Sequence, residues 1–85
     1  MKTFSYVVKD ELGIHARPAG LLVKEAKNFN SKIIIKKGDR EVEATRLMAV
    51  MALGVKQNEE VSVIVEGDDE NDACEAMRKF FEEQL

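Results

Sequence analysis

Eighty-five residues, 45% hydrophobic and 34% charged, make one small domain, too short for two cores and too apolar for disorder. A chain of this size buries only about 60–65% of its unfolded surface, which suits a carrier, a binder or a small catalyst and leaves little room for a deep substrate cavity. Thirteen basic residues against sixteen acidic ones argue against nucleic acid as the main partner, because phosphate-backbone affinity needs a basic surface.

Lys2–Val8 alternates Phe4, Tyr6 and Val8 against Thr3, Ser5 and Val7, and reads as a half-buried strand. Lys9–Ile14, with Asp10 and Gly13, reads as a loop. Pro18 suits the first turn of a helix, where its missing N–H costs nothing. Behind it Ala19, Leu22, Val23, Ala26 and Phe29 recur at helical spacing and predict a helix over 17–28, with Arg17 as N-cap and Pro18 as the first helical residue. Ser31–Lys36 is an Ile-rich strand, Lys37-Gly38-Asp39 a turn, and Arg40–Glu43 the returning strand. Arg46–Leu53 reads as a short helix ended by Gly54 at C′. Glu60–Glu66 alternates with Val61, Val63 and Val65 on one face. Ala73, Cys74, Met77, Phe80 and Phe81 stripe a last helix over 70–84, and Asp68, Asp69 and Glu70 load its start, where the helix dipole favours negative charge. The order β-α-β-β-α-β-α, with no repeat or linker, predicts a single α+β domain over 1–85 in two layers. One face of the sheet is covered by helices and the other faces solvent.

A lone cysteine, Cys74, excludes an intramolecular disulfide and suits a reducing, cytoplasmic setting. No apolar run is long enough for a signal peptide or for membrane insertion. One histidine and one cysteine make a transition-metal site unexpected, and Asp68-Asp69-Glu70 lacks the spacing of a calcium loop.

The sharpest feature is Gly13-Ile14-His15-Ala16-Arg17-Pro18-Ala19, which holds the only histidine. Neither Ala16 nor Arg17 offers a side-chain oxygen to cap the helix start. Free backbone donors, the positive end of a helix and a guanidinium therefore meet there and make an anion site. An imidazole in that potential is disfavoured as a cation and stays nucleophilic. A nucleophile inside an anion site is what phosphoryl acceptance requires. The plainer alternative is a surface histidine beside a solvated arginine. Leu47-Met48-Ala49-Val50-Met51-Ala52-Leu53 is the second feature. A short helix that buries Val50 and Leu53 cannot also bury Leu47, Met48 and Met51, so these form a candidate docking surface; a thin α/β layer that covers both sides of the helix is the alternative. Third, Arg17, Lys24 and Lys27 share the helix face opposite Ala19, Val23 and Ala26, either simply solvated or steering an acidic partner.

The motif at 13–19, followed some thirty residues later by Leu47-Met-Ala-Val-Met-Ala-Leu-Gly54, resembles HPr, the histidine-containing phosphocarrier family of the bacterial phosphoenolpyruvate:sugar phosphotransferase system. The similarity runs the whole length. The resemblance implies an open-faced β-sandwich, a four-stranded antiparallel sheet covered on one face by three helices. It implies that His15 takes a phosphoryl group on Nδ1 from phosphorylated enzyme I and passes it to IIA domains of sugar permeases. Arg17 and the Ala16 N–H would bind the phosphoryl oxygens. Leu47, Met48 and Met51, ringed by Arg17, Lys24, Lys27 and Arg46, would form the partner-docking face. No metal or organic cofactor and no stand-alone catalysis is implied. The sequence departs from the pattern at Arg46, where Gram-positive members carry a serine that HPr kinase phosphorylates; Thr45 is the nearest hydroxyl and a candidate cap for the second helix. Gly20 inside the first helix is unexplained and costs about 1 kcal/mol against Ala.

Three other readings stand beside the sugar relay. One is a carrier of a parallel regulatory branch, and another is an interaction module that kept the fold and lost the relay. The third, a small hydrolase of acyl phosphates, lacks a second polar catalytic group in the motif.

Overall fold

A computed structural model describes residues 1–85 in the order β1 (Lys2–Val7), α1 (Ala16–Ala26), β2 (Lys32–Lys37), β3 (Arg40–Glu43), α2 (Leu47–Ala52), β4 (Glu60–Glu66) and α3 (Glu70–Gln84). The four strands form one antiparallel sheet in the order β1-β4-β2-β3. Register places Phe4, Val63 and Ile35 in one row across the buried face, and Thr3, Ile64 and Ile34 in the neighbouring row on the open face. A one-residue slip would turn Val61, Val63 and Val65 out of the core, so the alternation in β4 fixes the register.

The helices cover the other face. Helix α3 lies against β1 and β4, α1 packs against both α2 and α3, and α2 touches β3. Phe81 seats α3 on the edge strand through edge-on contacts to Phe4 and Tyr6, each with ring centroids 5.7 Å apart. Leu22, Val50, Leu53, Met77 and Phe81 close the core from the helical side.

Local boundaries differ from the sequence reading in four elements, β1, β2, α1 and α2; among them, β2 starts at Lys32 rather than Ser31, α1 ends at Ala26 rather than 28, and α2 ends at Ala52 rather than Leu53. Strand β1 stops at Val7, although Val8 is fully buried and its N–H still bonds the Glu59 carbonyl. Strand β2 runs one residue further, because Lys37 pairs with Arg40 and leaves a two-residue turn at Gly38-Asp39. Helix α1 begins at Ala16, so His15 is the N-cap, where Arg17 was expected, and Pro18 is the third helical residue. The N–H groups of the whole first turn lack helical partners, so proline is tolerated at its third position as well as its first. Helix α2 begins at Leu47 with Arg46 as N-cap; no side chain caps it, and Thr45 does not.

Polar clamps tie the loops down. The Asp69 carboxylate accepts bonds from the Ser31 hydroxyl, the Ser31 N–H and the Asn30 N–H. The Ser31 hydroxyl, followed by the Asn30 N–H, holds this carboxyl below its ordinary range. Lys37 Nζ donates to the Gly54 carbonyl at 3.0 Å and pairs with Glu59 at 2.9 Å, which pins the end of α2 to β2. Gly54 takes φ 64 directly after the C-cap Leu53, the C′ role its position suggested.

Candidate functional site

The loop before α1 delivers His15. Gly13 has φ 67, and a Cβ there would fall 2.1 Å from the Val55 carbonyl oxygen. Only glycine permits that approach, which lets the Ile14 N–H bond the same carbonyl at 3.0 Å and bury Ile14. The chain is thus anchored immediately upstream of His15. On the other side the His15 carbonyl accepts the first helical bond, from Ala19 N–H at 2.9 Å.

At that start the His15 N–H bonds the Gly13 carbonyl, and Pro18 has no N–H. The Ala16 and Arg17 N–H groups have no acceptor within the chain. These two donors belong to the positive end of an eleven-residue helix. The His15 side chain makes no capping bond and is about one-third exposed. It lines a shallow hollow with Asp10, Arg17, Pro18, Leu21 and Gln84. Arg17 is exposed and forms no ion pair, so its guanidinium is uncommitted. Imidazole, two free amides and a guanidinium are therefore neighbours, which is the chemical outfit of a site that receives a dianionic group.

The other candidate residues fall on the exposed flanks of α1 and α2, which pack against each other. Lys24 and Lys27 are exposed and unpaired. Leu47, Met48 and Met51 are 40%, 77% and 37% exposed, while Val50 and Leu53 are buried. Arg46 differs from the expected free cation: its Nε donates to Glu43 Oε2 at 3.1 Å, an i,i+3 pair visible in the sequence and overlooked there. Two residues escaped the sequence reading. Leu21, 42% exposed in the hollow, is an apolar residue off the buried stripe of α1, and that was its signal. Asp10, whose Oδ1 lies 3.9 Å from His15 Nε2, gave none beyond its place in the loop.

The family described as "PTS HPr component phosphorylation site" matches residues 2–83. The chain is 40% identical to the HPr-like protein Crh of Halalkalibacterium halodurans over 91% of its own length and 92% of that protein. It is 35% identical to the phosphocarrier protein HPr of Mycoplasma capricolum, over 93% and 89% of the two chains. Among solved structures, HPr-C-His from Thermoanaerobacter tengcongensis superposes with a TM-score of 0.92 at 40% identity, over 96% of this chain and 92% of that one.

Proposed function

Because this chain belongs to the HPr family, whose members are named phosphocarriers and not catalysts, we propose that His15 accepts a phosphoryl group from phosphorylated enzyme I and donates it to IIA domains of sugar permeases. The observation that carries this reading is the placement of the sole imidazole at a helix start with two acceptor-free N–H groups and an unpaired arginine beside it. His15 Nδ1 is the attacking atom. The Ala16 and Arg17 N–H groups and the Arg17 guanidinium hold the phosphoryl oxygens. The shallow, open hollow suits a carrier, because each partner in turn closes it and excludes water.

Donor and recipient use the same face in succession. Leu47, Met48 and Met51 supply its apolar centre, Leu21 extends it toward His15, and Arg17, Lys24 and Lys27 supply the basic rim for acidic partners. Arg46 adds less to that rim than a free arginine, since Glu43 already neutralises it. No helix is long and apolar enough to cross a membrane. The cytoplasmic location belongs to the proposed relay and follows from its proposed partners.

A second reading, a carrier for a parallel regulatory branch, is favoured by the 40% identity to a protein named HPr-like Crh. The chemistry is the same and only the recipients differ. Incubation with phosphoenolpyruvate and enzyme I, followed by a chase with sugar-permease IIA domains, separates the two. Intact mass with and without acid treatment is the readout. An acid-labile phosphoryl group that moves to IIA supports the sugar relay. One that loads and stays supports the regulatory branch, and no loading refutes both.

A further inference from the structure

We propose that Asp10 is a positioning residue for His15. Its carboxylate faces the Nε2 edge of the imidazole and neutralises the positive charge that phosphorylation of Nδ1 creates. The proposal rests on His15 being the phosphoryl acceptor.

The two edges of the ring see opposite environments. Nδ1 is the ring nitrogen nearer its own backbone, and His15 is the N-cap of the helix whose first N–H groups, those of Ala16 and Arg17, are free. Nε2 is the far nitrogen, and Asp10 Oδ1 lies 3.9 Å from it. Asp10 and Arg17 are the only charged side chains that line the hollow besides the histidine. Asp10 is held in place on both its backbone and its side chain. Its N–H and that of Lys9 donate to the Leu85 main-chain oxygen at 2.8 and 2.6 Å, and its Oδ1 accepts the Leu12 N–H at 2.8 Å. A carboxylate fixed in this way costs little further ordering when it engages the ring. At 3.9 Å the pair is beyond hydrogen-bond range, and it becomes an ionic contact when phosphorylation makes the ring cationic; catalytic contacts that are long in the resting state often tighten in the reacting complex.

The step balances without moving a proton. In the reactive tautomer Nε2 carries the hydrogen and Nδ1 the lone pair. Nδ1 forms a bond to phosphorus, the bond from phosphorus to the donor atom breaks, and its electron pair leaves with the donor. The ring becomes a phosphoimidazolium, with the Nε2 hydrogen directed at Asp10. Without Asp10 this cation would sit beside Arg17 and the positive end of α1 with no other acidic side chain lining the hollow. The same charge keeps Nε2 protonated until donation, so the ring departs as a neutral imidazole.

Asp10→Asn tests this cleanly, because the amide oxygen still accepts the Leu12 N–H while the charge is gone. Asp10→Ala removes both. The readouts are transfer to a IIA domain and the 15N shift of Nε2 in the phosphorylated protein. Asp10→Asn should lower the ratio of protonated to unprotonated Nε2 at pH 7, and the rate of donation, by roughly three- to fivefold, the scale of a partly exposed ion pair. Asp10→Ala should do at least the same. Wild-type loading with unchanged Asp10→Asn behaviour in both readouts overturns the proposal, as does a defect confined to Asp10→Ala, which would assign Asp10 to the turn alone. Absence of acid-labile label in the wild type would instead overturn the acceptor reading on which it rests.

Discussion

Replacing Met48 by alanine separates docking from folding. Met48 is 77% exposed, so folding buries only about a quarter of a side chain worth about 2 kcal/mol when fully covered. The loss to stability is therefore about 0.5 kcal/mol at most, and the better helix propensity of alanine offsets part of it. Docking against a partner would bury the remaining three quarters, about 1.5 kcal/mol, which is roughly tenfold in affinity. Steady-state transfer from enzyme I should show an apparent KM raised about tenfold, with a thermal midpoint within about 3 °C of wild type. Val50→Ala on the same helix is the control: Val50 is fully buried, so the change should cost about 2 kcal/mol and leave transfer per folded molecule unaltered. If Met48→Ala instead lowers stability as Val50→Ala does and spares transfer by the folded fraction, the apolar flank of α2 is core and the docking argument is wrong.

Acid should weaken the fold through carboxylates held below their ordinary range, Asp69 by the Ser31 hydroxyl and Glu59 by Lys37. Their contribution is fully present above the unfolded values near 4 and is lost as pH falls through the lower folded values. Melting temperature should thus be flat from about pH 7 to 5 and decline below about pH 4, and Asp69→Asn should lower the plateau and make the decline shallower, as thermal circular dichroism across that range would show. Gly20→Ala should stabilise by about 0.5–1 kcal/mol, because a Cβ there meets nothing within 4 Å and the helix gains a better former. Gly13→Ala should prevent stable folding, since its Cβ would strike the Val55 carbonyl at 2.1 Å with φ 67; denaturant melts of the pair provide the comparison.

Features set by local periodicity could be read from the sequence. Strand β4 and helix α3 have the ends that alternation and the Ala73–Phe81 stripe predict, because each buries one clean face. The strand order β1-β4-β2-β3 depends on pairings between distant segments and left no mark in any one of them. The start of α1 was misplaced because proline fits anywhere in a first turn. The start is set instead by the chain's docking at Gly13 and Val55, a contact forty-two residues apart in sequence. The site divides in the same way. His15 and Arg17 were legible because their chemistry is carried by residue type next to a helix start. Asp10 was not, because the Leu85 and Leu12 contacts that hold it beside the imidazole arise only on folding. Leu21 lies between these cases: its place off the buried stripe was readable, and its neighbourhood with His15 was not.

The central claim is that His15 alone accepts the phosphoryl group, and replacing it by alanine tests this most directly. The imidazole makes no capping bond and is not part of the core, so the variant should melt with the wild type. Incubated with phosphoenolpyruvate and enzyme I, wild type should gain one acid-labile phosphoryl group by intact mass, and His15→Ala none. A folded His15→Ala protein that still gains the acid-labile group would contradict the account.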